Sequence, residues 1–261
     1  MKIAIAQMEM RSTCAENLEG VIGHLHEAKA LGADVAVFPE CATTGFHRQV
    51  PDQVNRREIA GAVARIQQEC AALGIAAVVG TPFYPSDSDG EIWNAAIVID
   101  PRGAVLAVVP KVGLTKSERL FFTAGDARTA FTLGSVGCGV MLCREVRDGE
   151  ELRTGLGGIR LAFWPGAIAW DSAPTDPDNV VTPEIASECA RTLESYVVQC
   201  NWATSLNNPD VRGMGGSLVL APTGELLHRC PLDTVGISLV ELDPGSRGEP
   251  EPHAASRASN A

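Results

Sequence analysis

Gly32-Ala33-Asp34-Val35-Ala36-Val37-Phe38-Pro39 and Gly158-Ile159-Arg160-Leu161-Ala162-Phe163-Trp164-Pro165 are two versions of one phrase. Each opens on a glycine of the kind that ends a helix, runs through a short apolar strand and stops at a proline. The likeness extends outward. Downstream, Ile97-Val98-Ile99-Asp100-Pro101-Arg102-Gly103-Ala104-Val105-Leu106 matches Leu218-Val219-Leu220-Ala221-Pro222-Thr223-Gly224-Glu225-Leu226-Leu227. In both, apolar segments flank a Pro-x-Gly turn, which is a hairpin signal. One such pair could arise by chance; two pairs in the same order predict that the chain is one unit written twice.

The elements around these phrases follow the same plan. In the first half, strands are predicted at Lys2–Gln7, Asp34–Phe38 and Ile75–Gly80, with Trp93–Ile99 and Ala104–Val109 forming the hairpin. Amphipathic helices are predicted over Asn17–Leu31 and Ile59–Leu73, each ending at a glycine (Gly32, Gly74), with a polar loop from Pro82 to Gly90. In the second half, strands are predicted at Gly139–Leu142, Ile159–Trp164 and Val197–Ala203, with a hairpin of Ser217–Leu220 and Glu225–His228. The helices there are Asp148–Leu156 and Pro183–Tyr196. Nearly continuous apolar strands suit sheets buried on both faces. The expectation is a single α/β domain over residues 1–243: two sheets packed face to face, helices outside, and an internal pseudo-twofold repeat. From Asp243 the composition turns to Gly, Pro, Ser, Glu and Ala without apolar periodicity, which predicts a flexible tail over residues 244–261.

Composition narrows the partners. The 261 residues carry a formal charge of −11, which argues against nucleic acid and anionic membrane surfaces. No apolar run is long enough to span a bilayer, and the N-terminal segment reads as a first strand and not as a secretion signal. The 8 cysteines include no Cys-x-x-Cys pair and no zinc-type spacing with histidine. They are read as reduced thiols of a cytoplasmic protein that holds no metal.

The chemistry concentrates where strands end. In Gly139-Val140-Met141-Leu142-Cys143-Arg144-Glu145-Val146-Arg147-Asp148-Gly149-Glu150 an apolar run gives way to charge at a cysteine. A strand followed by a helix start would leave Cys143 at the lip of a sheet, where amide groups and cations favour thiolate. Taken alone, an inert core cysteine is the commoner outcome. Glu40 ends the second strand and Lys111 ends the first hairpin. Strand ends of this kind gather into one cleft in sheet-based enzymes. A carboxylate, an ammonium and a thiol form a coherent set for nucleophilic catalysis, although a solvated helix cap and a surface lysine are the ordinary fates of such residues.

On these residues the chain resembles the nitrilase superfamily, the carbon–nitrogen hydrolases. Phe38-Pro39-Glu40 with Thr44-Gly45-Phe46 resembles its first motif, and Lys111-Val112-Gly113-Leu114 with Glu118, Phe122 and Gly125 its lysine motif. Cys143-x-Glu145-x-Arg147-x-x-Glu150 resembles its nucleophile motif. The likeness continues through Trp164–Trp170, Arg191–Asn201, Gly216-Ser217 and Pro222-x-Gly224, covering about residues 1 to 243. It implies a four-layer α-β-β-α sandwich and a Glu40–Lys111–Cys143 triad. It further implies Glu118 as a supporting carboxylate and an oxyanion hole made of Lys111 and the Arg144 backbone N–H. Dimers or dimer-based assemblies are expected, with no metal or organic cofactor. Asp148-Gly149 stands in place of the usual Phe-Pro, Arg144 stands where an aromatic is common, and no Tyr precedes Lys111. The Arg144 side chain either lowers the thiol pKa or selects an acidic substrate, or it turns away into an ion pair with a nearby Glu.

The expected reaction is hydrolysis of a small linear amide through a thioester acyl-enzyme. A nitrile or an N-carbamoyl compound would be handled by the same residues, and the amide ranks first because Arg144 replaces the Trp that commonly follows the cysteine in true nitrilases. Phe46, Trp170 and the loop from Asp171 to Val180 are candidates for the substrate pocket. A nucleotide-binding reading fails on spacing, since the third glycine of the fingerprint would fall on Leu142. A silent family member used as a binding protein remains the reading from another class.

Overall fold

The structure, a computed structural model, describes residues 1–47, 50, 55–85, 90–171 and 179–245. In chain order the elements are β1 (Lys2–Gln7), α1 (Cys14–Ala30), β2 (Val35–Val37), α2 (Arg56–Leu73), β3 (Ala76–Phe83), β4 (Trp93–Ile99) and β5 (Val105–Pro110). Then follow β6 (Phe131–Leu133), β7 (Val136–Val140), α3 (Gly149–Leu156), β8 (Leu161–Gly166), α4 (Pro183–Leu193), β9 (Tyr196–Asn201), β10 (Leu218–Leu220), β11 (Leu226–Arg229) and β12 (Gly236–Glu241). The strands form two six-stranded sheets, in the orders β12-β1-β2-β3-β4-β5 and β11-β10-β9-β8-β7-β6.

The repeat predicted from the two phrases holds down to single hydrogen bonds. In one half β1, β2 and β3 are parallel and β4 and β5 return antiparallel. In the other, β7, β8 and β9 are parallel and β10 and β11 return. The Asp34 N–H donates to the Lys2 carbonyl at 2.8 Å, and the matching Arg160 N–H donates to the Gly137 carbonyl at 2.8 Å. Each hairpin carries a register shift at the equivalent step, between Val98 and Ile99 and between Val219 and Leu220. The matched turn glycines, Gly103 and Gly224, have φ of 81° and 80°, a region open to glycine at little cost.

The alternation of residues along the strands builds the layers. Ile3, Ile5, Val37 and Val98 of the first sheet meet Val140, Phe163, Val198 and Val219 of the second in one core between the sheets. The opposite faces carry small residues, which let helices sit close. Ala4, Ala36 and Ala77 lie under Val21, Leu25 and Ile66 of α1 and α2. Ala162 and Val197 lie under Leu152, Leu156, Ala186 and Ala190 of α3 and α4. The result is the four-layer sandwich with helices outermost. Side chains set the helix starts: Thr13, Asn55 and Thr182 accept the N–H of Glu16, Glu58 and Ile185.

Several boundaries differ from the sequence reading. Helix α4 stops at Leu193, because Glu194 takes a left-handed conformation at φ 51°, and Tyr196 opens β9. Strand β7 spans Val136–Val140, so Leu142 lies beyond it. Strands β6 and β12, absent from that reading, extend the sheets at equivalent places, β12 pairing with β1 and β6 with β7. Pro82 and Phe83 continue β3, so the chain leaves the sheet later than the expected polar loop begins, and residues 86–89 of that loop lie outside the described residues. Most of the segment assigned to a C-terminal tail, residues 246–261, lies outside the described residues, as do residues 172–178 of the candidate pocket loop. No helix among the described residues is long and apolar enough to cross a membrane.

Candidate active site

The chain just past the C-terminal ends of β2, β5 and β7 brings Glu40, Lys111 and Cys143 to one place. Glu40 and Lys111 are fully buried and Glu118 is 1% exposed, so neither a solvated cap nor a surface lysine describes them. The Lys111 ammonium donates to Glu40 Oε1 at 2.7 Å and to Glu118 Oε1 at 2.7 Å. Asn94, also fully buried, donates through Nδ2 to the same two oxygens at 2.8 and 2.9 Å. Glu118 Oε2 accepts the Thr115 N–H at 2.7 Å. Glu40 Oε2 is buried and has no hydrogen-bond partner.

Local structure fixes each member. The indole N–H of Trp202 donates to the Glu40 carbonyl at 2.8 Å. The Lys111 N–H donates to the Asn94 carbonyl at 2.7 Å, continuing the β4–β5 ladder by one step. Glu118 opens a short 3-10 turn, Glu118–Leu120, whose first N–H is accepted by Thr115 Oγ1 at 3.2 Å. Cys143 opens another, Cys143–Arg147, with φ of 50°. Such a left-handed conformation is costly for a residue with a Cβ and persists where the surroundings enforce it. Here the indole N–H of Trp164 donates to the Cys143 carbonyl at 2.8 Å. The buried Glu145 then joins the two loops. Its carboxylate accepts the N–H groups of Val112 and Gly113 at 2.9 Å each and that of Leu142 at 2.8 Å. A single side chain thus ties the segment after Lys111 to the one before Cys143.

The charges divide the carboxylates. Two carboxylates and one ammonium leave this buried cluster one negative charge in excess. Burial raises the Glu40 carboxyl above its ordinary range, and the Glu118 charge adds to this against the pull of Lys111. Burial also penalises Glu118, but the Lys111 charge and the hydrogen bonds from Lys111 and Thr115 hold it below the ordinary range. Lys111 stays charged: burial opposes it, but Glu40 and Glu118 together hold its pKa well above the usual lysine value. Burial, and then the Glu40 charge, push the Cys143 thiol up to about 12, with Lys111 and the Ala167 backbone N–H pulling the other way. This corrects the expectation of a resting thiolate. Removal from water and a net negative neighbourhood outweigh the helix-start amides and the single cation.

The remaining candidates are placed as follows. The Arg144 side chain pairs with Asp148 at 3.2 Å and donates to the Gly113 carbonyl at 3.2 Å, so it turns into an ion pair, but with an Asp and not with the expected Glu. Phe46 packs against the cluster of Cys41, Val50, Leu114 and Phe122. Trp170 meets Trp164 edge-on at 6.4 Å between ring centroids, donates to the Gly215 carbonyl at 2.8 Å and lies under the Arg229 guanidinium at 5.5 Å. Trp170 and Cys143 pack against the same apolar cluster, which includes Trp164. Among the described residues no group of His, Cys, Asp and Glu could hold a metal ion. All eight cysteines are free thiols. Asn94 is a site residue that the sequence reading does not single out, whereas Glu145 is a quoted residue of the nucleophile motif whose tie between the two loops is added by the structure. A lone Asn inside the apolar strand Trp93-Asn94-Ala95-Ala96-Ile97-Val98-Ile99 was the available signal.

Comparison with known proteins shows the family and the fold. A profile of the family described as carbon–nitrogen hydrolase matches residues 2–249. The chain is 26% identical over 224 residues to a nitrilase from Pyrococcus abyssi, covering 84% of this chain and 80% of that protein. It is 27% identical over 226 residues to a 2-oxoglutaramate amidase from Bacillus subtilis, covering 83% and 81%. Among solved structures, the NitN amidase from Nesterenkonia sp. AN1 has a TM-score of 0.81 at 24% identity, with 93% of each chain covered, and so shares the fold.

Proposed function

As the chain belongs to the carbon–nitrogen hydrolase family, we propose that it cleaves the non-peptide C–N bond of a small linear amide through a thioester on Cys143. The observation that carries this reading is the unpartnered oxygen of Glu40. Lys111 and Asn94 occupy Oε1, so Oε2 is the oxygen available to take a proton, in a cluster whose charges act on the Cys143 thiol.

In this mechanism the resting pair is a thiol and a carboxylate. The thiol proton passes to Glu40 Oε2 as sulfur attacks the amide carbonyl, so no free thiolate accumulates. Lys111, held charged by both carboxylates, and the Arg144 backbone N–H face the oxyanion. One such donor typically contributes about 3–4 kcal/mol to transition-state stability. Glu40 returns the proton to the departing nitrogen, and ammonia or an amine leaves. Glu40 then draws a proton from water, which attacks the thioester and frees the acid. Glu118 holds Lys111 in place and keeps its charge. Phe46 and Trp170 border the acyl pocket in this reading.

Amides rank first because a relative is named a 2-oxoglutaramate amidase and because Arg144 follows the cysteine. A nitrile would pass through a thioimidate on the same sulfur, and the likeness to a protein named nitrilase keeps that substrate class in the test. Dimeric assembly belongs to the same proposal and is read from the mass in solution by light scattering. The activity test is ammonia release from a panel of small amides, nitriles and N-carbamoyl compounds, with wild type beside Cys143→Ala and Glu40→Gln. Release by the wild type alone supports the reading. Undiminished release by Cys143→Ala overturns it, and silence of the wild type across the panel favours a binding role.

A further inference from the structure

We propose that Asn94 is a positioning residue for the reaction: it holds Glu40 Oε1 so that Oε2 is left as the base. This rests on the role proposed above for Glu40. The geometry is a closed ring of four atoms. Lys111 Nζ and Asn94 Nδ2 each donate to Glu40 Oε1 and to Glu118 Oε1, at 2.7, 2.7, 2.8 and 2.9 Å. Each carboxylate therefore has one oxygen held by two donors. Glu118 has its second oxygen held as well, by Thr115. Glu40 does not, and this asymmetry singles out one oxygen of four in the ring's two carboxylates as free.

The orientation of the Asn94 amide is set from outside the ring. Cys41, buried beside Glu40 in a left-handed conformation at φ 52°, donates its thiol to Asn94 Oδ1 at 3.6 Å. A flipped amide would turn its oxygen toward two carboxylate oxygens and its NH2 toward a thiol proton. The thiol thus selects the rotamer that donates to the carboxylates. Cys41 remains a thiol, since burial and then the Glu40 charge raise it well above its ordinary value. The titratable groups facing Glu40 are Lys111, Glu118, Cys41 and Cys143. Asn94 is the neutral group that divides donors between the two carboxylates without adding charge. Lys111 alone could bind both but would leave each Oε1 with a single donor.

Loss of the amide makes the ionised form of Glu40 less stable, so the acidic limb of activity moves up. A hydrogen bond to a charged group is typically worth about one pH unit or more in the group's pKa. The experiment is the pH profile of kcat/KM for wild type, Asn94→Ala and Asn94→Ser, with Glu40→Gln and Cys143→Ala as references. The expected result is an acidic limb about one unit higher in both Asn94 variants. At neutral pH kcat falls about tenfold or more, while KM stays within about threefold. A folded variant whose kcat falls with the acidic limb unmoved overturns the proposal, as does one with unchanged activity.

Asparagine labelled with carbon-13 and nitrogen-15 in the wild type gives a readout free of variant folding. The Asn94 side-chain NH2 resonance is expected to shift with the apparent pKa of the acidic limb, and a resonance flat across that range overturns the proposal. If Glu40→Gln and Cys143→Ala keep full activity, the fault lies instead with the proposed function.

Discussion

Replacing Lys111 by Met removes the cation and leaves the side-chain volume nearly unchanged. The structure sets the magnitude. Lys111 is fully buried and makes two hydrogen bonds of 2.7 Å to carboxylates. Bonds to charged groups are worth about 1.5–3 kcal/mol each, so their loss amounts to about 3–6 kcal/mol. Breaking a buried ion pair from one side costs about 3–5 kcal/mol by a separate route, and the two figures overlap. The sign with pH follows from the carboxylates left behind. Without the ammonium, Glu40 and Glu118 are two buried acids sharing one site, and both titrate above the roughly 4.3 of an unfolded glutamate. A group whose folded pKa is raised stabilises the fold below the unfolded value and loses that contribution as pH rises through the folded one. The deficit of Lys111→Met is therefore largest near pH 8 and shrinks toward pH 5. Urea denaturation of wild type and variant at both pH values measures it. A deficit under about 1 kcal/mol, or one equal at the two pH values, would refute the charge arrangement described here.

Two further outcomes follow from the same geometry. With the Cys143 thiol pushed up to about 12, the 240 nm thiolate absorbance of wild type minus Cys143→Ala should show no step below pH 9, and a step near neutrality would mean a resting thiolate. Gly80 lies against the backbone that carries Glu40, so a methyl there would overlap the Pro39 carbonyl and crowd Glu40 and Cys41. Gly80→Ala should lose about 1–3 kcal/mol of stability and at least tenfold in kcat, and full activity would show that the Glu40 position tolerates displacement.

The parts of the fold legible in the sequence were those with a strong local pattern. The phrases ending in Pro39 and Pro165 sit on buried strands, and each Pro-x-Gly turn joins a buried strand, β4 or β10, to a more exposed edge-side partner, so apolar runs and turn residues agree there. Strands β6 and β12 were not legible. The first is three residues long, and the second alternates irregularly between buried and half-exposed positions at a sheet edge. Both are held by pairing with a neighbour more than by their own pattern. The end of α4 was missed because its left-handed cap is Glu194, where no glycine marks the stop.

At the site, Glu40, Lys111 and Cys143 stood out because each reactive type falls at the end of an apolar strand. The resemblance supplied Glu118. The protonation of Cys143 is not legible in the sequence, because it depends on burial and on two carboxylates sharing one ammonium beside the thiol. Arg144, adjacent to the cysteine in sequence, turns out to be held by Asp148 and the Gly113 carbonyl.

The central claim is that sulfur at position 143 carries the acyl group. Intact-mass spectrometry of enzyme quenched in acid during turnover of a small-amide pool, followed by peptide mapping, tests it most directly. The expected result is an added acyl mass on the peptide containing Cys143 in the wild type, and none in Cys143→Ala. Turnover without any such adduct together with full activity in Cys143→Ala, or an adduct mapped to another residue, would contradict the account.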